Sequence, residues 1–241
     1  GLAEGFNSFK YEEKSRCFKT ELSIESDINT YHTLLIRHLF YRIFNKFGFV
    51  PNKFYELISK DTSCCKLFKE YSDEVFVLKN NNVLNFDLGS QKETTNKLDK
   101  ILSNLLKNNS KWILIGGPPC QAYSIAGRSR NKGSHKYKPE EDKRHYLYKE
   151  YLKLLGRYKP PVFVMENVKG MITSKVNGSN ILEQIISDLI DPSAALERNK
   201  SRTKSHKYKL YSLANNVCIQ DKSEISSVNL YDFVIQSEYY K

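Results

Sequence analysis

No apolar run in this sequence of 241 residues approaches the roughly 20 residues that a helix needs to cross a bilayer, so a membrane-spanning helix is excluded. No secretory signal is visible either. Cysteine is sparse: Cys17, Cys64, Cys65, Cys120 and Cys218 are odd in number and show neither Cys-x-x-Cys spacing nor a clustered histidine partner. That argues for a reducing compartment and against zinc, and no metal site is expected. Adjacent Cys64 and Cys65 read as structural or incidental. Acidic residues are in the minority, 27 against 38 Lys and Arg, for a formal charge of +11 and a pI near 9.3. The excess favours a polyanionic partner without selecting one. Internal repeats and low-complexity segments are absent. What remains, 40% hydrophobic and 27% charged, is an ordinary globular composition, and 28.1 kDa is enough for one large domain with a real core.

The chain is organised around Trp112 to Arg130, WILIGGPPCQAYSIAGRSR. A short apolar run, Trp112-Ile113-Leu114-Ile115, breaks at Gly116-Gly117-Pro118-Pro119 and presents Cys120. This pattern predicts a buried parallel strand that delivers a thiol at its carboxyl end, where open α/β sheets bind ligands. The two prolines stiffen the turn. Taken alone, a single Cys after a strand is more often a small buried hydrophobe than a nucleophile.

Before this stretch, Glu21 to Asp27 reads as a strand ending in acids. An acid there is placed to accept hydrogen bonds from ribose hydroxyls, the alternative being a helix cap. Asn29 to Asn45 carries Leu34, Leu35, Leu39, Phe40, Ile43 and Phe44 at helical spacing, and Gly48 and Pro51 end that helix. Lys53 to Ile58 and Cys65 to Tyr71 predict two further short helices. Val83 to Leu88 predicts a short strand or extended segment ending in Asp87-Leu88, and Thr95 to Lys107 an amphipathic helix with Leu98, Ile101, Leu102, Leu105 and Leu106 inward.

Beyond Cys120, Gly127 to Lys138 is a basic run read both as a solvated loop and as a phosphate clamp. The helix from Asp142 to Tyr158 has Leu147, Tyr151, Leu154 and Leu155 on its inward face. Val162 to Val168 predicts a second buried strand, bringing Glu166 to its carboxyl edge so that two neighbouring strand ends converge on one substrate. Ile181 to Ile190 is a helix closed by Pro192, and Arg198 to Lys209 is a second basic loop. Tyr208 to Ser212 and Tyr231 to Gln236 are expected to pair as antiparallel strands.

Pro118-Pro119-Cys120-Gln121 followed by Ala122-Tyr123-Ser124 and Gly127, with Glu166-Asn167-Val168 in the right order behind it, resembles the DNA cytosine-5 methyltransferases. The resemblance implies a Rossmann-like α/β fold dependent on S-adenosyl-L-methionine, with a mainly parallel sheet, helices on both faces and an antiparallel C-terminal strand pair. It implies Cys120 as nucleophile and Glu166 as acid. Leu2, at the tail of a cofactor loop, Glu25, Asp87, Leu88, Gly117 and Leu147 would bind cofactor; Asp142, Arg144 and Leu147 match the family pattern Asp-x-Arg-x-x-Leu. Pro119, Gln121, Ser124, Arg128, Arg130 and Asn167 fall on the substrate side, Asn167 as a holder of the backbone around Glu166.

The sequence departs from the family at both ends: the front of the glycine-rich cofactor loop, the Gln-x-Arg-x-Arg segment and the target-recognition region are not found. The expectation is an incomplete catalytic domain over residues 1–241 with a helical insertion at about 35–78. A second polypeptide or a missing segment would carry target recognition. The implied partner is double-stranded DNA, and the implied role is modification in a bacterial restriction-modification system, in the cytoplasm and associated with the nucleoid. Two alternatives stay open. One is a tRNA cytosine-5 methyltransferase, which shares the Cys and Glu, although Ala-Tyr-Ser after Gln121 is closer to the DNA-acting branch. The other is a non-catalytic or split half that needs a partner chain.

Overall fold

The computed structural model describes residues 1–12, 16–60, 62–117, 148–176, 179–196 and 206–235, and divides into two compact units, Gly1–Asn109 and Ser110–Lys241. In the first unit, α1 (Leu2–Ser8) leads to β1 (Ser23–Glu25), the long α2 (Ile28–Phe47), short α3 (Asn52–Ile58), α4 (Cys64–Glu70), α5 (Ser72–Asn81), β2 (Val83–Asn85) and α6 (Lys92–Leu106). Asp27 caps α2, its carboxylate accepting the Thr30 N–H at 2.8 Å. The expected strand is therefore cut short at Glu25, because Asp27 serves the helix. Gly48, at φ +78°, ends α2 in the left-handed conformation that favours glycine.

The sequence pattern and the packing agree closely in α2. Tyr31, Leu35, Leu39 and Ile43 are buried at spacings of four and meet Phe54, Leu67, Val75, Leu78 and Val83 in one core, with Leu34 and Phe40 packed at its margin. β1 and β2 are parallel, with Ser23 opposite Val83 and Glu25 opposite Asn85. Along α6 only Leu98 is buried, and Ile101, Leu102, Leu105 and Leu106 are half-buried.

The second unit contains β3 (Ile113–Gly116), α7 (Tyr148–Tyr158), β4 (Val162–Met165), a 3₁₀ turn (Lys169–Met171), β5 (Lys175–Val176), β6 (Ser179–Asn180), α8 (Ile181–Ile190) and α9 (Pro192–Leu196). It continues with β7 (Leu210–Tyr211), β8 (Cys218–Ile219) and 3₁₀ turns at Lys222–Ser227 and Leu230–Phe233. β3 and β4 are parallel, Ile113 opposite Val162 through Gly116 opposite Met165. Their core joins Tyr148, Tyr151, Leu152 and Leu155 of α7 to Met171, Ile181, Ile185 and Leu189. The inward face of α7 thus includes Tyr148 and Leu152, while Leu154 is half-buried. A second cluster gathers Ile186, Ile190, Ile219 and Ile225.

Two expectations are corrected. β7 pairs antiparallel with β8, not with Tyr231 to Gln236. The Asn229 side chain accepts the Tyr231 N–H at 3.1 Å and starts a 3₁₀ turn where a strand was expected. β4 stops at Met165 rather than Val168. The described residues form four two-stranded sheets, two parallel and two antiparallel. The architecture is therefore mixed α/β with small parallel sheets and a C-terminal antiparallel pair.

Candidate active site

Among the described residues, Glu25 lies at a strand edge in the first unit, and Gly117 and Glu166 lie at one in the second. In the second unit, β3 and β4 run side by side, so whatever follows Gly116 and whatever follows Met165 leave the sheet together. The Glu166 N–H donates to the Gly116 carbonyl at 3.1 Å, one step past the last strand residues. Gly117, next in line, lies against Glu166: a Cβ there would sit 3.1 Å from Glu166 Cγ and 3.3 Å from the Glu166 carbonyl oxygen. Glycine at 117 is what allows this approach.

Glu166 and Asn167 are both exposed. β4 ends one residue before Glu166 and leaves the carboxylate at the rim. Asn167 turns its side-chain oxygen to the Val168 N–H at 2.8 Å and shapes the backbone leaving the site. Cys120, with Pro119, Gln121, Ser124, Arg128, Arg130 and Leu147, lies outside the described residues, as do Asp142 and Arg144.

The strands that deliver this edge are braced from behind. The Tyr151 hydroxyl lies 3.1 Å from both the Leu114 and the Val164 carbonyl oxygens. At the other end of β4, the Tyr208 hydroxyl donates to the Pro160 carbonyl at 2.9 Å. Phe163 sits between the two rings, with edge contacts of 6.2 Å to Tyr151 and 4.9 Å to Tyr208. Burial raises both phenols, Tyr151 well above its ordinary value and Tyr208 up to about 12, so both remain donors. Sequence reasoning placed Tyr151 on the inward face of its helix but missed its hydroxyl. A tyrosine at a helical core position gives no sign of which carbonyls it will meet.

In the first unit the edge belongs to β1 and β2. Glu25 Oε1 accepts the Ser26 and Asp27 N–H groups at 2.9 and 3.0 Å. Asn85, opposite Glu25, donates its side-chain amide to the Glu25 and Ser26 carbonyls at 2.9 and 3.1 Å. Asn85 also was missed, for its type and position are common in turns. Two residues on, Asp87 is exposed and Leu88 half-buried, and the Asp87 carbonyl accepts Ser90 N–H and Oγ–H at 3.2 and 2.7 Å. Leu2 is half-buried and begins α1. Glu4 of the same helix binds Arg37 and Tyr41 of α2, with Arg37 Nε at 3.0 Å, which ties α1 to α2. Burial works against ionisation of Glu4, but the hydrogen bonds from Arg37 and Tyr41 and the charge of Arg37 hold its carboxyl below the usual range. Among the described residues no group of three or more His, Cys, Asp or Glu side chains is placed to hold a metal ion.

Parallel strand pairs with a carboxylate at the carboxyl end of each define an α/β protein of the kind that binds ligands along strand ends. The chain belongs to the C-5 cytosine-specific DNA methylase family, whose family model matches residues 59–192. It is similar to the type II methyltransferase M.Bpa9945I of Bacillus paralicheniformis, 30% identical over 193 residues, 73% of this chain and 40% of that protein. It is likewise similar to the type II methyltransferase M.AquIA of a Picosynechococcus species, 30% identical over 138 residues, 56% of this chain and 46% of that protein. A third relative, the type II methyltransferase M.HindV of Haemophilus influenzae, is 30% identical over 131 residues, 53% of this chain and 36% of that protein. The alignments thus span less than half the length of each of these relatives. No solved structure matches the chain with significance.

Proposed function

We propose that this chain is catalytic sequence of an S-adenosyl-L-methionine-dependent DNA cytosine-5 methyltransferase serving a restriction-modification system, with double-stranded DNA as substrate and the bacterial cytoplasm as its compartment. In this reading it adopts the Rossmann-like fold of its family and carries a helical insertion at about 35–78. The observation that carries the reading is the β3–β4 edge, where Gly117, three residues before Cys120, lies against Glu166.

Cytosine C5 is a weak nucleophile until something adds at C6. The Cys120 thiolate suits that addition, being strongly nucleophilic and afterwards a good leaving group. As the Cys120–C6 bond forms, electron density moves into the ring, and Glu166 at the neighbouring strand end supplies a proton or hydrogen bond at N3 to disperse it. C5 is then nucleophilic. The bound cofactor supplies an electrophilic methyl group. Loss of the C5 proton and departure of Cys120 restore the aromatic ring. The target base has to leave the duplex first, and Arg128, Arg130 and the adjoining lysines would offset that cost through phosphate contacts.

The β1–β2 edge supports cofactor binding there. Among the described residues, Glu25 Oε2 and the Asp87 carboxylate accept no hydrogen bond, so both suit donors: ribose hydroxyls for Glu25 and an adenine amino group for Asp87, with Leu88 against the ring. Leu2, Gly117 and Leu147 complete the proposed cofactor contacts. Pro119, Gln121, Ser124 and Asn167 complete those to substrate.

The test is transfer of labelled methyl groups to duplex DNA and to tRNA offered in parallel. DNA labelling that disappears in Cys120→Ala and falls heavily in Glu166→Gln is the expected result. Labelling that survives Cys120→Ala overturns the mechanism, and labelling confined to tRNA moves the chain to the other substrate.

A further inference from the structure

Consecutive glycines at the end of β3 face two different neighbours. A Cβ on Gly116 would lie 3.1 Å from Tyr151 Cε2 and 3.5 Å from its Cδ2, whereas one on Gly117 would meet Glu166. Side chains alternate along a strand, so one glycine admits the tyrosine ring behind the sheet and the next admits the carboxylate at its rim. The Tyr151 hydroxyl then reaches the carbonyls of Leu114 on β3 and Val164 on β4, both at 3.1 Å. It has one proton to share between them, and these carbonyls lie two residues before Gly116 and Glu166.

We propose that Tyr151 is a positioning residue for the Gly117–Glu166 edge, its hydroxyl tying the two strands together and its ring backing Gly116 so that Glu166 is held against Gly117. The assignment rests on Glu166 being the group that meets the substrate. Three observations favour it over simple core filling. Phenylalanine would fill the same space among Leu114, Phe163 and Met165. The hydroxyl crosses the strand pair rather than bonding within its own helix. Only this end of β4 leads to the site, and the other end has its own tyrosine, Tyr208, on Pro160.

The test removes the hydroxyl alone, with Tyr151→Phe in the full chain, and follows amide hydrogen exchange residue by residue. The Glu166 amide, bonded to the Gly116 carbonyl, is expected to exchange about tenfold faster, the size of one lost hydrogen bond. The Ile185 and Leu189 amides in the core helix α8 should keep their rates. No change at Glu166, or an acceleration shared equally by α8, overturns the proposal.

Should Tyr151→Phe fail to fold, Gly116→Ala decides. It keeps the hydroxyl but pushes the ring away by a few tenths of an ångström, and an unchanged Glu166 amide there also overturns the assignment. Where methyl transfer is measurable, Tyr151→Phe should lower kcat with the cofactor KM unchanged, a split that loss of folded protein alone would not produce. Exchange needs no catalysis, so the proposal stands or falls separately from Glu166→Gln, which tests the chemistry.

Discussion

Single residues decide how sharply the second unit's strand edge is defined. Gly117→Ala places a methyl group 3.1 Å from Glu166 Cγ and 3.3 Å from the Glu166 carbonyl oxygen, so the exposed Glu166 has to give by a few tenths of an ångström. Stability should therefore change by less than about 1 kcal/mol. Methyl transfer should fall by up to about tenfold, because a few tenths of an ångström at the proposed acid costs part of the roughly 100-fold that a full ångström does. Thermal melting beside a kinetic assay checks both halves, and a Gly117→Ala protein of unchanged activity would remove the significance given to this contact. Deeper in the same unit, the Tyr148 hydroxyl donates to the buried Asp188 carboxyl at 2.7 Å. Tyr148→Phe is expected to lower stability by about 1–3 kcal/mol, as for a lost hydrogen bond to a buried carboxyl group, measured by urea denaturation. Neither contact could be read in advance. A sequence shows that glycines follow a strand and that a tyrosine lies on an apolar face, but not which segment arrives opposite.

At the scale of elements, legibility followed length and periodicity. α2 was readable because five turns of regular apolar spacing leave little choice of face, and Gly48 marks its end. β3 and β4 were readable as short apolar runs bounded by glycine and proline. The C-terminal pairing was not: β8 is only Cys218–Ile219, too short to show a pattern, and the better-looking run at Tyr231 is diverted by its Asn229 cap. The helical core also makes a clear quantitative statement. Leu39 is fully buried in α2, whereas Phe76 of α5 is 70% exposed. Leu39→Ala should cost about 2–5 kcal/mol and Phe76→Ala no more than about 0.5 kcal/mol, despite the larger side chain removed. Equal losses in chemical denaturation would show that the core is not where these residues place it.

Across the whole molecule, the basic composition and the paired acids at strand ends were legible, because they follow from residue counts and from where apolar runs stop. The titration behaviour was not, since it depends on which groups folding buries. His38 of α2 bonds through Nε2 to Ser23 Oγ of β1 at 2.9 Å. Burial depresses its pKa to about 4, with Glu21 opposing and Lys19 reinforcing the shift. The folded chain therefore holds this imidazole neutral where the unfolded chain, with an ordinary pKa of about 6.5, binds a proton. Stability is then complete above pH 6.5 and is lost as pH falls towards 4. Glu4, Glu74, Asp27 and Asp221 are all held below their ordinary values. Their contributions disappear only when the pH drops further, through their own folded pKa values, so the interval from about pH 6.5 to 4.5 isolates His38. Lowering the pH across that interval should cost the first unit about 2–3 kcal/mol in the wild-type chain. Helix circular dichroism during denaturation at several pH values reads this directly. In His38→Gln the dependence should flatten, because a glutamine amide keeps a hydrogen-bonding partner for Ser23 but takes up no proton. A wild-type chain as stable at pH 4.5 as at pH 7, or a His38→Gln chain with the same slope, would mean that His38 is not the buried neutral group described.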